Sequence, residues 1–368
     1  MNNRVTGILL ILLSITGSWA WLDYQSAIKN PVVSDLVTVE IEKGDSLDRI
    51  GEKLVAQDLA IKPFWFKVTA FLGKSYNKIK TGEYELKPGL TLPDILDVFV
   101  AGKTKQYAIT FPEGWSLNEI LQEVAKNPNL EHQLLKSDFI NLMMQLGINQ
   151  KNSNHCQTVP EDGFLFLPSP LDCPEGLPVA AVLPETLKSL EGLIFPDTYF
   201  FERHMSDISL LKRAYEKMLN IIRQEWARKS ADLPFKTPYE ALIMASIVEK
   251  ETADKKERPL IAGVFIRRLQ NDMLLQTDPT VIYGMGENFR GGIGYNDLKA
   301  ETPYNTYVIK GLPPTPIAMP GLDAIIATLH PDKSNSLYFV SRGDGSHVFS
   351  ATLKEHNLAV NKYQRKKK

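Results

Sequence analysis

Two glutamates lie at the end of a predicted helix that is almost wholly apolar. The segment Tyr239–Thr252, YEALIMASIVEKET, is almost wholly apolar until it reaches Glu249 and Glu251. A carboxylic acid that is desolvated against an apolar wall has a raised pKa, so it can hold a proton at neutral pH and deliver it to a leaving oxygen. Cleavage of a glycosidic bond needs such a proton donor. The segment therefore predicts a general acid at the end of a buried helix.

Helical geometry alone does not choose between these two glutamates. They are two positions apart, so their side chains point to nearly opposite sides of the helix. Glu251 lies one turn beyond Ile247, and Glu249 lies one turn beyond Ala245, so both helix faces are apolar. An ordinary charged helix end stays open as the interpretation of either residue.

Residues for other common chemistries are missing from the sequence. No Gly-x-Ser-x-Gly, Walker loop or dinucleotide-binding glycine pattern occurs in a suitable setting. The six histidines show neither His-Glu-x-x-His spacing nor a companion cysteine cluster, so neither a metal nor a cofactor is predicted. The formal net charge of -1 provides no basic field for a nucleic-acid partner.

A loop-dense stretch after Leu275 is the candidate binding cleft. It is rich in Thr, Gly, Pro, Tyr and Asn, as binding loops inside a folded domain often are. Gln276, Thr277 and Asp278 could hydrogen-bond a sugar, although Asp278 precedes a proline and could equally form a turn. Further along, three residues could line the cleft or simply pack in the core: Tyr304, Asn305 and Tyr307.

Periodicity predicts both strands and helices around these residues. Alternation at period two predicts strands over Val37–Ile41 and Gly82–Leu86, and helical spacing predicts helices over Pro63–Leu72 and about 206–229. The fold class is therefore α+β, with the two candidate acids, Glu249 and Glu251, on a buried helix of the larger, later part of the chain.

One segment near the amino terminus is apolar enough to enter a membrane. The run Val5–Leu22 contains no charge and would span roughly 27 Å as a helix. Trp19 and Trp21 lie at its far end, where aromatic side chains favour the interface. A cleaved signal peptide is the rival interpretation, but the run is long for a signal core. We therefore expect one retained anchor in the cytoplasmic (inner) membrane, with the residues after it outside the cytoplasm.

Cys156 and Cys173 are the only cysteines, and both lie in a proline-rich segment over about 147–184. This segment has little helical period and is predicted to be an irregular insertion. A catalytic cysteine is therefore not expected. In an exported protein the two thiols could pair and close a loop of sixteen intervening residues.

The segment VTVEIEKGDSLDRIGEKL, which begins at Val37, resembles the opening of a LysM module, a small fold that binds wall glycan. The resemblance implies a LysM-like domain over 36–103 that binds or orients glycan. A spacer domain that positions the catalytic part is the alternative. The stretch to Gly102 is longer than one module, and its latter half departs from the pattern.

Five further blocks resemble the successive signatures of the endolytic murein transglycosylase (YceG-like) family. They span roughly Glu191 to Asn357, in order and at suitable spacing. The blocks are EGLIFPDTYFF, ASIVEKET, RLQNDMLLQTDPTVIYGMG, ETPYNTYVIKGLPPTPIAMPG and LYFVSRGDGSHVFSATLKEHN.

This resemblance implies that Glu251, the second glutamate of the SIVEKE block, is the catalytic acid, and that Glu249 supports it. The family leaves 1,6-anhydro-muramyl ends without using water or a second catalytic carboxylate. Peptidoglycan glycan strands are the implied substrate, and wall-synthesis machinery is an implied partner. Two alternatives remain: a lysozyme-like hydrolase, for which Asp278 is the only tempting second carboxylate, and a non-catalytic wall-binding scaffold.

The predicted parts follow one another along the chain. They are a cytoplasmic amino terminus (1–4), the transmembrane anchor (5–22), a linker (23–35), the LysM-like domain (36–103), the catalytic domain (104–363) and a basic tail (364–368).

Overall fold

The computed structural model describes residues 3–134, 187 and 189–365, which fold as two compact units. The first unit comprises Met1–Ala108 and Phe200–Met205, and the second comprises Ile109–Tyr199 and Ser206–Lys368. Helices and short strands occur together, so the predicted α+β class is confirmed. Cys156, Cys173 and the predicted insertion around them lie outside the described residues.

The first unit packs helices against an antiparallel strand pair. Strands β1 and β2 pair with Val39 opposite Tyr84, and both occupy the predicted positions. Side chains from every element after the first helix form its core, including Leu54, Phe66 and Phe99. The elements are α1 (Asn3–Lys29), β1 (Val37–Ile41), α2 (Leu47–Ala56), α3 (Pro63–Leu72), β2 (Gly82–Leu86) and α4 (Leu92–Ala101).

Helix α1 is long and apolar enough to cross a membrane, over Val5–Lys29. The sequence predicted that the apolar run ends at Leu22 and that a linker follows. The helix instead continues for two more turns to Lys29, because no proline or glycine interrupts it before Pro31. The proline disfavours helical geometry for the residue before it, which ends the helix there.

The remaining elements follow in chain order, and strand pairs β3–β5, β4–β6 and β7–β8 each form a two-stranded sheet. They are β3 (Tyr107–Thr110), α5 (Leu117–Lys126), β4 (Leu130–Glu131), β5 (Thr198–Phe201), β6 (Met205–Ser206), α6 (Asp207–Ala227), α7 (Pro238–Glu251), α8 (Arg258–Gln270), α9 (Asp278–Met285), α10 (Leu322–Leu329), β7 (Tyr338–Ser341), β8 (His347–Ser350) and α11 (Leu353–Val360).

Helix α7 is the central helix of the second unit and contacts α6, α8, α9 and α10. Thr237 caps its start by accepting a hydrogen bond from the Glu240 N–H, and Pro238 occupies the first turn. Every residue from Ala241 to Val248 is buried. At Thr252 the backbone becomes extended, so the helix ends with Glu251 as its last residue.

Candidate active site

The Glu251 side chain lines a pocket of about 410 Å³ in the second unit. The end of α7, helix α8, the loop before α9, the β7–β8 hairpin and α11 surround it. Its polar lining residues are Glu251, Arg268, Gln276, Asp278, Tyr307, Tyr338, Ser341, His347, His356 and Gln364.

The Glu251 carboxyl is held in a desolvated position at the pocket wall. Burial raises its pKa to about 7, and the negative charge of Asp278 acts in the same direction. Thr277 Oγ1 donates a hydrogen bond to Glu251 Oε2 at 3.1 Å, which lowers the pKa in part. A carboxyl whose pKa is raised in this way keeps a protonated fraction near neutral pH, so it can act as a general acid.

Buried threonines fix the loop that carries Thr277. The Thr277 N–H donates to Thr306 Oγ1 at 3.1 Å, and the hydroxyls of Thr280 and Thr306 are 2.8 Å apart. All three threonine side chains are buried, so the hydroxyl that contacts Glu251 has little freedom to move.

Three residues predicted to contact the substrate line the pocket together: Gln276, Asp278 and Tyr307. Gln276 adopts a positive φ of 55°, and its N–H donates to the Thr306 carbonyl at 3.0 Å, which holds this turn in place. Tyr307 donates its hydroxyl to Asp278 Oδ1 at 2.6 Å. Thr277 is buried and does not line the pocket, but its hydroxyl contacts Glu251. Amide, carboxylate and phenol groups around a recessed acid provide the hydrogen-bonding partners that a sugar needs.

Tyr304 and Asn305 have different surroundings and do not line the pocket. The buried Asn305 amide donates to the carbonyls of Asp297, Leu298 and Ala300, at 2.7 to 3.2 Å. Its Oδ1 accepts from the Tyr307 N–H at 3.0 Å, so Asn305 positions Tyr307. The Tyr304 hydroxyl lies 2.8 Å from Thr315 Oγ1, which matches the packing alternative.

Glu249 faces away from the pocket, as helical geometry requires of a residue two positions from Glu251. Its side chain is 5% exposed and accepts a hydrogen bond from Arg258 Nη2 at 2.6 Å. The Gly321 N–H, at the start of α10, donates to its other oxygen at 3.0 Å. Burial raises the Glu249 pKa, while Gly321 and Arg258 oppose this shift. These contacts support a structural role, joining α7 to α8 and α10.

Several polar residues of the pocket were not predicted from the sequence. Arg268 donates to the carbonyls of Leu275 and Leu337, each at 2.8 Å, and so ties the loop before α9 to the segment before β7. The Tyr338 ring stacks on His356 at 5.2 Å between centroids. Both aromatic residues belong to the last signature block. The resemblance of that block to the family is the sequence feature that could have pointed to them as pocket residues.

Glu191 is a second buried carboxyl that sequence reasoning did not single out. It is 4% exposed and accepts hydrogen bonds from the Leu117 N–H at 3.0 Å and the Tyr283 hydroxyl at 3.1 Å. Burial raises its pKa to about 7. Its contacts fix the start of α5 and the position of α9, and it does not line the pocket.

The described residues contain no group of three or more His, Cys, Asp or Glu side chains that could hold a metal ion. Among the side chains that line the pocket, Glu251 is the group best placed to exchange a proton near neutral pH.

Comparison with known proteins identifies the family. The profile of the YceG-like family matches residues 39–362. The chain belongs to the YceG-like family. This match includes all five later signature blocks and, apart from its first two residues, the segment that resembles LysM.

Named relatives of this YceG-like chain are similar over most of its length. The endolytic murein transglycosylase of Bacillus subtilis is 32% identical over 347 residues, which cover 92% of this chain and 89% of the relative. That of Streptococcus pneumoniae serotype 2 is 29% identical over 367 residues, covering 94% of this chain and 62% of the relative. A solved YceG-like protein of Listeria monocytogenes has a TM-score of 0.50 and 29% identity, covering 88% of this chain and 98% of that one.

Proposed function

We propose that this chain cleaves peptidoglycan glycan strands internally by non-hydrolytic transglycosylation, with Glu251 as the catalytic acid and then base. The observation that carries the proposal is the Glu251 carboxyl, with a pKa of about 7, on the wall of a polar pocket. The relatives named endolytic murein transglycosylases support the reaction and its substrate class.

The reaction needs one group that first gives and then takes a proton. Protonated Glu251 transfers its proton to the oxygen of the β-1,4 bond between MurNAc and GlcNAc, and the bond from the anomeric carbon to that oxygen breaks. The C6 hydroxyl of the same MurNAc then attacks the anomeric carbon and gives its proton to the Glu251 carboxylate. The products are a strand with a 1,6-anhydro-MurNAc end and a strand with a free hydroxyl, and no water is consumed. Glu251 returns to its protonated state.

Product mass tests this proposal against the hydrolase alternative. The full chain in detergent is incubated with purified glycan strands, and the released fragments are measured by mass spectrometry. Transglycosylation gives ends that are lighter by one water than hydrolysis gives. Hydrated ends alone would indicate a muramidase, for which Asp278 would be the first residue to examine as the second carboxylate. No cleavage by a folded chain would favour the scaffold alternative.

We further propose that α1 is a retained anchor, with the rest of the chain outside the cytoplasm. The uncharged run and its length support a membrane span, and the wall substrate supports the orientation. Glycan binding by the LysM-like segment and association with wall-synthesis machinery are further parts of the proposal.

A further inference from the structure

Helix α3 of the first unit carries an exposed apolar face. Its residues are Phe64, Phe71, Leu72 and, just after the helix, Tyr76, and we call this set the α3 face. These side chains are 65%, 51%, 68% and 49% exposed, respectively. Positions 64, 71 and 72 recur at helical spacing, so they share one side of the helix. Phe66, Thr69 and Ala70 point the other way into the core.

The start of α3 is fixed to the end of the apolar run in α1. Asp23, the first charged residue after that run, lies 2.6 Å from Lys62 Nζ. The Trp65 indole N–H donates to the same carboxylate at 2.8 Å, and the Trp65 ring lies 5.2 Å from that of Tyr24. These contacts bring the start of α3 to the level at which α1 would leave the hydrocarbon of a bilayer.

The chain segment that carries the α3 face contains charged residues of one sign only. From Leu59 to Gly82 the sequence contains five lysines and no aspartate or glutamate. Lys62 and Lys67 form ion pairs with Asp23 and Asp48. Lys74 and Lys78 are exposed and form no ion pair with any other residue that the structure describes. Exposed aromatic side chains beside unpaired lysines are typical of surfaces that bind anionic lipid headgroups.

We propose that the α3 face lies in the headgroup layer of an anionic bilayer, next to the anchor. Aromatic rings prefer the interface, and lysine side chains reach from it to lipid phosphates. The contact would add a second attachment to the membrane beside α1. This inference rests on the proposed retention of α1 as an anchor, and the experiment measures that retention separately.

The test places an environment-sensitive fluorophore on the full chain, reconstituted into phosphatidylcholine vesicles with and without phosphatidylglycerol. Cys156→Ser and Cys173→Ser remove the native thiols, and Leu72→Cys provides the labelling site. Lys43→Cys, exposed in the turn between β1 and α2, is the matched control outside the α3 face. Co-flotation of the chain with vesicles reports whether α1 is inserted.

With phosphatidylglycerol, we expect the label at residue 72 to shift to the blue and to lose most of its emission to quencher-bearing lipids, while the label at 43 keeps its emission. Lys74→Gln with Lys78→Gln should reduce the quenching at 72. A floating chain whose two labels both stay in water, or are both quenched, would overturn the proposal. A fluorescence change at residue 72 that occurs only with added soluble glycan would instead assign the α3 face to wall glycan. A change that occurs only at raised protein density would assign it to a second copy of the chain. Equal quenching without phosphatidylglycerol would overturn the role of the lysines.

Discussion

At the scale of single residues, the two glutamates that close α7 have the same side chain and opposite surroundings. Glu251 faces a pocket and contacts a threonine hydroxyl, whereas Glu249 is paired with Arg258. We expect Glu251→Gln to reduce cleavage by about 10²–10⁴-fold, because the amide keeps the shape but has no transferable acidic proton. Fragment release from glycan strands measures the loss, and circular dichroism checks that the fold is intact.

Glu249→Gln is the matched control on the same helix. It weakens the contact with Arg258, so it should lower thermal stability while leaving much more activity than Glu251→Gln. The opposite result, an active Glu251→Gln and an inactive Glu249→Gln, would show that the acid is on the other face of the helix. Two active variants would rule out the single-glutamate mechanism.

The pH dependence of kcat/KM should report the Glu251 pKa. Since the acid must begin protonated, activity should fall as the pH rises through about 7. Thr277→Val removes a hydrogen bond that lowers the pKa, so the fall should move to higher pH. Asp278→Asn removes a negative charge that raises it, so the fall should move to lower pH. Shifts in the same direction for both variants would contradict this assignment.

Glu191 should make stability depend on pH. Its pKa is about 7 in the folded chain, against an ordinary value of 4.5, so the folded state binds more protons between these values. The free energy of unfolding therefore falls as the pH rises from 4.5 to 7, by about 3 kcal/mol from this residue. Glu191→Gln removes this dependence. Denaturant titrations of the variant and the native chain at pH 5 and pH 8 measure the effect. The variant should be more stable relative to the native chain at pH 8 than at pH 5. An equal difference in stability at the two pH values would contradict this role of Glu191.

The sequence identified Glu251 only through the family resemblance, because both faces of its helix are apolar. The pocket beside Glu251 and the ion pair of Glu249 with Arg258 distinguish the two glutamates in the structure. Thr306 and Arg268 were not predicted, since their roles depend on contacts between segments far apart in the chain. Contacts of this kind produce no periodic pattern in the local sequence from which they could be predicted.

At the scale of elements, local patterns were more informative. The strands Val37–Ile41 and Gly82–Leu86 and the helix Pro63–Leu72 have the predicted bounds. Alternation, helical spacing and caps are short-range signals, so the elements that they specify can be found in one sequence. The continuation of α1 to Lys29 was missed because polar residues follow its apolar run, although nothing breaks the helix before Pro31.

The loop that carries Tyr307 depends on the buried Asn305 side chain. Asn305→Ala would leave three carbonyls without this donor, so we expect a loss of about 1–3 kcal/mol in the free energy of unfolding. Denaturant titration measures the loss. Glu301→Gln, an exposed change in the same loop, should stay within about 0.5 kcal/mol of the native chain. Equal stability of the two variants would show that the loop does not need the Asn305 amide.

At the scale of the whole molecule, the proposed topology places one short segment inside the cell and nearly all of the chain outside. Protease added to spheroplasts should therefore degrade the body of the protein, while a cytoplasmic marker stays intact. Full protection of the chain in spheroplasts with a digested external marker would contradict this topology. Release of the chain into the soluble fraction would indicate a cleaved signal sequence.

The first unit is discontinuous in sequence, because it includes Phe200–Met205. Arg203 Nη1 lies 3.5 Å from Glu83 Oε1, and His204 Nε2 lies 3.1 Å from Glu40 Oε1. A ribosome that has just finished Ala108 must still synthesise the chain as far as Met205 before these partners exist, which takes on the order of ten seconds. If the chain is exported as proposed, the amino-terminal unit would therefore stay incomplete at the membrane, with the Glu83 carboxylate lacking its arginine, until the later segment emerges from the export channel.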